Sequence, residues 1–137
     1  MKMREIKFRA WDGMSWVYSE CISKDGINWW ILNNEDDNWF TCLDPQQYTG
    51  LKDKNGKEIY EGDITKDKFG NLDVICWINS SGAYATVSIN LYLDGEYEHT
   101  VVDEFGTDCF FENNVPGDFL EVIGNIYENP ELLEESK

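Results

Sequence analysis

Histidine is almost missing from this 137-residue chain, with His99 the single example, and its four cysteines, Cys21, Cys42, Cys76 and Cys109, form no Cys-x-x-Cys pair. A zinc site would have to be assembled from distant pieces without a local chelate, so no metal is expected. No apolar run approaches the roughly 20 residues that span a bilayer. The start, Met1-Lys2-Met3-Arg4-Glu5, leads into no signal-type apolar core. These features predict an intracellular protein that makes no membrane contact and whose thiols are reduced and mostly buried.

Catalytic patterns are scarce as well. Neither a Gly-x-Gly-x-x-Gly fingerprint nor a Gly-x-Ser-x-Gly frame occurs, and Ser80-Ser81-Gly82 reads as a turn. His99 stands beside Glu98 with no partnered nucleophile in view, and only Cys21, near Lys24, has a basic neighbour. Glu61, Asp63 and Asp67 are close enough in sequence to hold a hard cation, but a solvated bend is the simpler reading, because such sites need six or more converging oxygens. The expectation is therefore a protein that is not an enzyme and has no cofactor.

Positive charge is the third shortage. Residues 69–137 hold Lys137 alone against fourteen acids, whereas residues 1–68 hold ten Lys or Arg against thirteen. With a net charge of -16, the chain should repel nucleic acid and favour basic partners. Lys2, Arg4, Lys7 and Arg9 do lie among Phe8, Trp11 and Trp16, a mixture suited to tracking a single strand. The alternation of that stretch sends Phe8 to the face opposite Lys7 and Arg9, however, and core packing is favoured over base stacking.

What is abundant is aromatic and β-prone sequence. Hydrophobic residues make up 42% and aromatics 15% of the chain, enough to build a core despite the charge. In Arg4–Trp11 charge and apolar side chains alternate, which predicts a half-buried strand with Ile6, Phe8 and Ala10 inward. Asp12-Gly13 turns it back into Met14–Tyr18, and further strands are expected over Ile27–Leu32 and Trp39–Leu43, with Asp44-Pro45 ending the lobe. Asn55-Gly56 predicts a two-residue type I′ hairpin that pairs Lys54 with Lys57, Asp53 with Glu58, Lys52 with Ile59 and Leu51 with Tyr60, its charged tip solvated. Glu61-Gly62-Asp63 then breaks the chain, placing a boundary between an N-terminal lobe, 1–60, and a second part, 61–137. Strands follow at Leu72–Ile78, Ala83–Leu93, Tyr97–Val102, Cys109–Phe111 and Phe119–Tyr127. Only the tail looks helical, with Asn129 as N-cap, Pro130 at the first position and Leu132-Leu133 as a docking face. The fold class is all-β, built as one compact unit.

Three stretches, Arg4-Glu5-Ile6-Lys7-Phe8-Arg9-Ala10-Trp11-Asp12, the run from Tyr48 to Asp63, and Val122-Ile123-Gly124-Asn125-Ile126-Tyr127-Glu128-Asn129-Pro130-Glu131-Leu132-Leu133, together resemble the YopX family of phage and prophage proteins. The resemblance runs end to end, although residues 13–44 and 94–118 carry none of the family's wording. It implies a mostly β fold whose C-terminal part is an SH3-like barrel closed by a short helix, and a phage or prophage gene acting in the bacterial host cytosol. It implies no catalytic residue.

Function is expected to be non-catalytic binding of a protein, either a host factor or a second copy. Trp29-Trp30 on one strand must point to opposite faces, and Trp39-Phe40 repeats the pattern, so Trp29, Trp30, Trp39 and Phe40 are the candidate contact residues. The competing reading buries both faces. A different class of function is an acidic decoy for a nucleic-acid-binding host protein, carried by Asp94, Glu96, Glu98, Asp103, Glu104, Asp108, Glu112, Asp118 and Glu121. Against that stands simple solubility and protection of sheet edges. A small enzyme of undisclosed chemistry is the third reading.

Overall fold

The computed structural model describes residues 6–79, 83–95, 97 and 120–135. The chain is mainly β and divides into two compact units, Met1–Gly50 and Leu51–Lys137. The division assigns the Leu51–Tyr60 hairpin to the second unit, whereas the sequence reading closes the first lobe with it.

The first unit contains β1 (Phe8–Trp11), β2 (Trp16–Ser19), β3 (Ile22–Lys24), β4 (Trp29–Asn33), β5 (Asn38–Cys42) and the start of β6 (Gln46–Lys52). β2, β1 and β6 are neighbours in one antiparallel sheet, and β3, β4 and β5 form another. The Asp12-Gly13 turn forms where expected, because the Asp12 carboxylate accepts the backbone N–H groups of Met14 at 2.8 Å and Ser15 at 2.7 Å. The short β3 has no counterpart among the strands expected from sequence, and Pro45 does not end the lobe, since β6 begins at Gln46.

On β1 the polar face is not simply solvated. Arg9 is buried, donates its Nε–H to Gln46 Oε1 at 2.9 Å and lies over the Trp16 ring at 4.3 Å. Trp16 in turn meets Trp11, its cross-strand partner, at 5.0 Å. Lys7 sits over Tyr48 at 5.1 Å. Arg9 of β1 and Lys7 just before it thus lie on aromatic faces inside the unit. Ala10 points inward as predicted, but Ile6 is exposed because it precedes the paired part of the strand.

In the second unit β7 (Glu58–Tyr60), β8 (Asp63–Lys66), β9 (Leu72–Ile78), β10 (Ala83–Ser88) and β11 (Glu121–Asn125) are joined by α1 (Ile89–Asp94) and α2 (Glu131–Glu135). The sheet order is β10-β9-β8-β11, antiparallel throughout. One face carries Ile64, Val74, Cys76, Ile78, Ala85 and Val87, against which Leu91, Tyr92, Leu132 and Leu133 pack. The other face brings Ile75, Tyr84 and Val122 against Ile59 of the hairpin. Helices on one side and a hairpin on the other therefore bury both sides of the sheet.

The expected single strand over Ala83–Leu93 is corrected to strand then helix. Ser88 Oγ accepts the Leu91 N–H at 3.4 Å and Gly95 closes the helix at φ 78°, a start and a stop that override the β-propensity between them. The Asn55-Gly56 turn is also not type I′, because Gly56 has positive φ and Asn55 does not. Asp53 accepts N–H bonds from Asn55 and Lys57, both at 2.9 Å, on its carboxylate, while its own N–H reaches the Lys57 carbonyl at 2.8 Å. That side chain replaces the two-residue turn by a longer one, so Asp53 faces Lys57 instead of Glu58. Of the other expected strands, Cys109–Phe111 lies outside the described residues, as does Tyr97–Val102 except for Tyr97, which is helical.

Two aspartates expected in solvent are buried. Asp53 is 4% exposed and Asp63 1%. Asp53 accepts the Val122 N–H at 2.9 Å, and Asp63 accepts the Tyr60 N–H at 2.8 Å and the Asn125 side-chain amide at 3.3 Å. Gly62 adds backbone bonds to Ile75 and Ile126. Asn129 does not use its side chain as a helix cap: its Oδ1 accepts the Asn125 N–H at 3.1 Å.

Candidate functional site

The pairing of β4 with β5 sorts the four candidate aromatics. Antiparallel partners share a face, and the register sets Trp30 opposite Thr41 and Ser23, Leu32 opposite Trp39, Ile31 opposite Phe40, and Trp29 opposite Cys42. Trp30 and Trp39 consequently share one face, and Trp29 and Phe40 the other. Ile31, fully buried, marks the second face as the one turned into the unit, while its partner Phe40 on the edge strand stays 40% exposed. Trp29 there carries Lys24 over its ring at 5.2 Å.

The first face opens onto a concavity of about 720 Å³ lined by Glu20, Cys21, Ser23, Asp25, Trp30 and Trp39. Trp39 is 46% exposed, on a strand whose residues are exposed apart from Cys42. Trp30 is half-buried, and its indole Nε1–H donates to Asp25 Oδ2 at 2.9 Å. The other Asp25 oxygen accepts the N–H groups of Asn28 at 2.8 Å and Ile27 at 3.1 Å. Those donors, Asn28 foremost and then Trp30, hold the Asp25 carboxyl below its ordinary pKa. An ionised, oriented carboxylate therefore stands at the edge of an aromatic groove. Cys21, in a chain whose thiols are expected to be mostly buried, is an exposed free thiol there.

Of the acid candidates, two fall among the described residues. Asp94 is exposed at the end of α1, and Glu121 on β11 accepts the Asn55 side-chain amide at 3.2 Å. Glu96, Glu98, Asp103, Glu104, Asp108, Glu112 and Asp118 lie outside the described residues, and so does His99. Glu61, Asp63 and Asp67 do not converge: Asp63 is engaged with backbone and amide donors, and Asp67 binds the N–H groups of Phe69 and Asn71 within its own turn, each at 2.9 Å. Among the described residues no group of three or more His, Cys, Asp or Glu is arranged to hold a metal, and no helix is long and apolar enough to cross a membrane.

Sequence reasoning missed two strongly perturbed titratable groups among the described residues. Burial, aided by the charge of Asp67, pushes Asp73 up to about 6. Burial likewise raises the Cys76 thiol to about 12, with Glu61 adding to it. Cys76 lies on the helix-covered side of the sheet, and Asp73 on the opposite side, cross-strand from Thr65 and Ser88. Neither lines the aromatic groove. Alternation along β9 signals which residues face inward, but Asp73 on an inward position gives no sequence cue.

A family model described as YopX protein matches residues 7–134. The chain belongs to the YopX family. The stretches that carry the YopX resemblance include residues that hold the fold together, namely Arg9 within β1, Asp63 beneath the Gly62 bend, and Gly124 under α2. A Cβ on Gly124 would stand 2.8 Å from both Asn129 Oδ1 and Leu132 Cδ1, so only glycine lets the helix and Asn129 approach β11. The groove residues Glu20 to Trp39, by contrast, fall in the part of the chain without YopX wording. No curated protein matches the chain.

Proposed function

We propose that this YopX-family chain is a non-catalytic protein-binding module of phage or prophage origin, acting in the bacterial cytosol, and that its partner docks on the Trp30–Trp39 face of the first unit. One observation carries the reading: Trp39 is 46% exposed on an edge strand of its sheet, beside Trp30 and an open concavity. Large aromatics lose little side-chain entropy on docking and bury much area, which is why they anchor interfaces. The split of the four candidates sets Trp29 and Phe40 on the side of the fully buried Ile31, although Phe40, on an edge strand, is itself 40% exposed.

The test is affinity capture from bacterial host lysate with the intact chain and with Trp39→Ala, at low and high salt. A partner held by the parent chain at high salt and lost by Trp39→Ala supports the face. Equal capture by both chains would sink it. Retention of a basic protein only at low salt, released by added DNA, would transfer the function to the acidic second half.

A further inference from the structure

The groove differs from an ordinary apolar patch in what surrounds it. Glu20 and Asp25 belong to its lining, and from Glu20 to Asp44 the sequence holds six acids and a single cation, Lys24. Lys24 is already over Trp29, which faces the other side of the sheet. Arg9 and Lys7 are likewise engaged, over Trp16 and Tyr48. Among the described residues, then, cations of this unit cover Trp16, Tyr48 and Trp29, while none lies over Trp30 or Trp39. Asp25 fixes the Trp30 indole through its N–H and keeps a carboxylate beside the ring. An electron-rich ring with an ionised acid at its edge favours a cation over a neutral apolar group.

We propose that the Trp30–Trp39 groove receives a lysine or arginine side chain from a partner protein, held against the Trp30 and Trp39 rings with Glu20 and Asp25 supplying the negative rim. The inference rests on the protein-binding reading above and adds the chemistry of the partner. An aliphatic basic stem covers the apolar floor while its charged end stays at the wet rim, matching a concavity that is open to solvent.

The experiment immobilises the intact chain and selects from a displayed library of random short peptides, with Trp39→Ala, Trp39→Leu and Glu20→Gln as parallel baits. Thermal unfolding checks that each variant is folded. Trp39→Leu preserves apolar area but removes the π face, so it guards against a variant that fails to fold. Peptides carrying Lys or Arg should be enriched on the parent chain and bind Trp39→Leu more weakly by on the order of tenfold, with a smaller loss for Glu20→Gln. Selection of uncharged peptides that still depend on Trp39 would overturn the cation while leaving the aromatic face intact. Peptides that bind every bait equally would overturn both readings. Recovery of no peptide above background would overturn the cation inference, and the lysate capture would then judge the face alone.

Discussion

The Asp53 carboxylate accepts the backbone N–H of Val122 at 2.9 Å, joining the turn of the hairpin to a strand 69 positions later. A second bond, from the Lys54 N–H to the Leu120 carbonyl at 3.0 Å, runs beside it. Because Asp53 also caps Asn55 and Lys57, one side chain both shapes the turn and fastens it to β11. Asp53→Ala should leave the buried Val122 N–H unsatisfied, strip the turn of its two carboxylate bonds and lower stability by about 2–4 kcal/mol. Asp53→Asn should lose nearly as much, since either orientation of the amide sets an N–H donor against an N–H donor. Urea unfolding of the three chains measures both; less than about half a kcal/mol for Asp53→Ala, the behaviour of a surface residue, would contradict the role assigned.

Stability should depend on pH in two opposed ways. Burial acts to raise the Asp53 pKa, but the N–H groups of Val122, Lys57 and Asn55 outweigh it and leave it below 3.8. Its contribution is therefore complete above the ordinary value and is lost as pH falls through the lowered one. Asp73 has the opposite sign: its folded pKa is raised from 3.8 to about 6, so the native state binds the proton more tightly than the unfolded chain. The cost of ionising it is fully present above about pH 6 and is relieved as pH falls from there toward about 4. Maximum stability should lie on the acidic side of neutrality, and Asp73→Asn should gain on the order of 2–3 kcal/mol near neutral pH and little near the ordinary carboxylate pKa of about 4. Thermal melts across this window would reject the assignment if the gain were independent of pH.

Gly124→Ala should push α2 away from β11. The new methyl would meet Asn129 Oδ1 and Leu132 Cδ1 at 2.8 Å, and the Asn129 amide is held by its bond from the Asn125 N–H. A loss of about 1–3 kcal/mol is expected. Leu132→Ala in the same chain should recover part of it by making room, giving a coupling that a double-mutant cycle reads directly. Simple additivity would show that the helix does not press on this glycine.

Thr65 Oγ1 is a buried side-chain oxygen with no hydrogen-bond partner. The residue is fully buried on β8, opposite Asp73 on one side and Val122 on the other. Replacing the hydroxyl by a methyl removes an unsatisfied polar group without changing shape, so Thr65→Val should stabilise the chain by about 1 kcal/mol. A loss in chemical denaturation would mean that the hydroxyl has a partner after all.

Much of this molecule is legible from one sequence because the relevant physics is local. β9 spans Leu72–Ile78 as its run of β-prone residues predicts, Asp12-Gly13 turns where a short acid can bond its own following backbone, and the opposition of Trp29 to Trp30 follows from the two-residue period of any strand. The breaking of the chain at Glu61-Gly62-Asp63 is equally local, with Gly62 at φ 84°. Tertiary structure decided the rest. Whether Asp53 and Asp63 are solvated or buried depends on donors from Val122 and Asn125, which no window around the hairpin contains. The Asn55-Gly56 dipeptide allows a two-residue turn, yet the Asp53 carboxylate selects a longer one and moves the register. Propensity alone cannot weigh Ser88 and Gly95 as caps against the β-prone residues between them, which end as α1 packed on the sheet. Pairing Trp30 with Trp39, and separating both from Trp29 and Phe40, required the β4–β5 register, because a shift of one residue would move a whole strand's side chains to the opposite face.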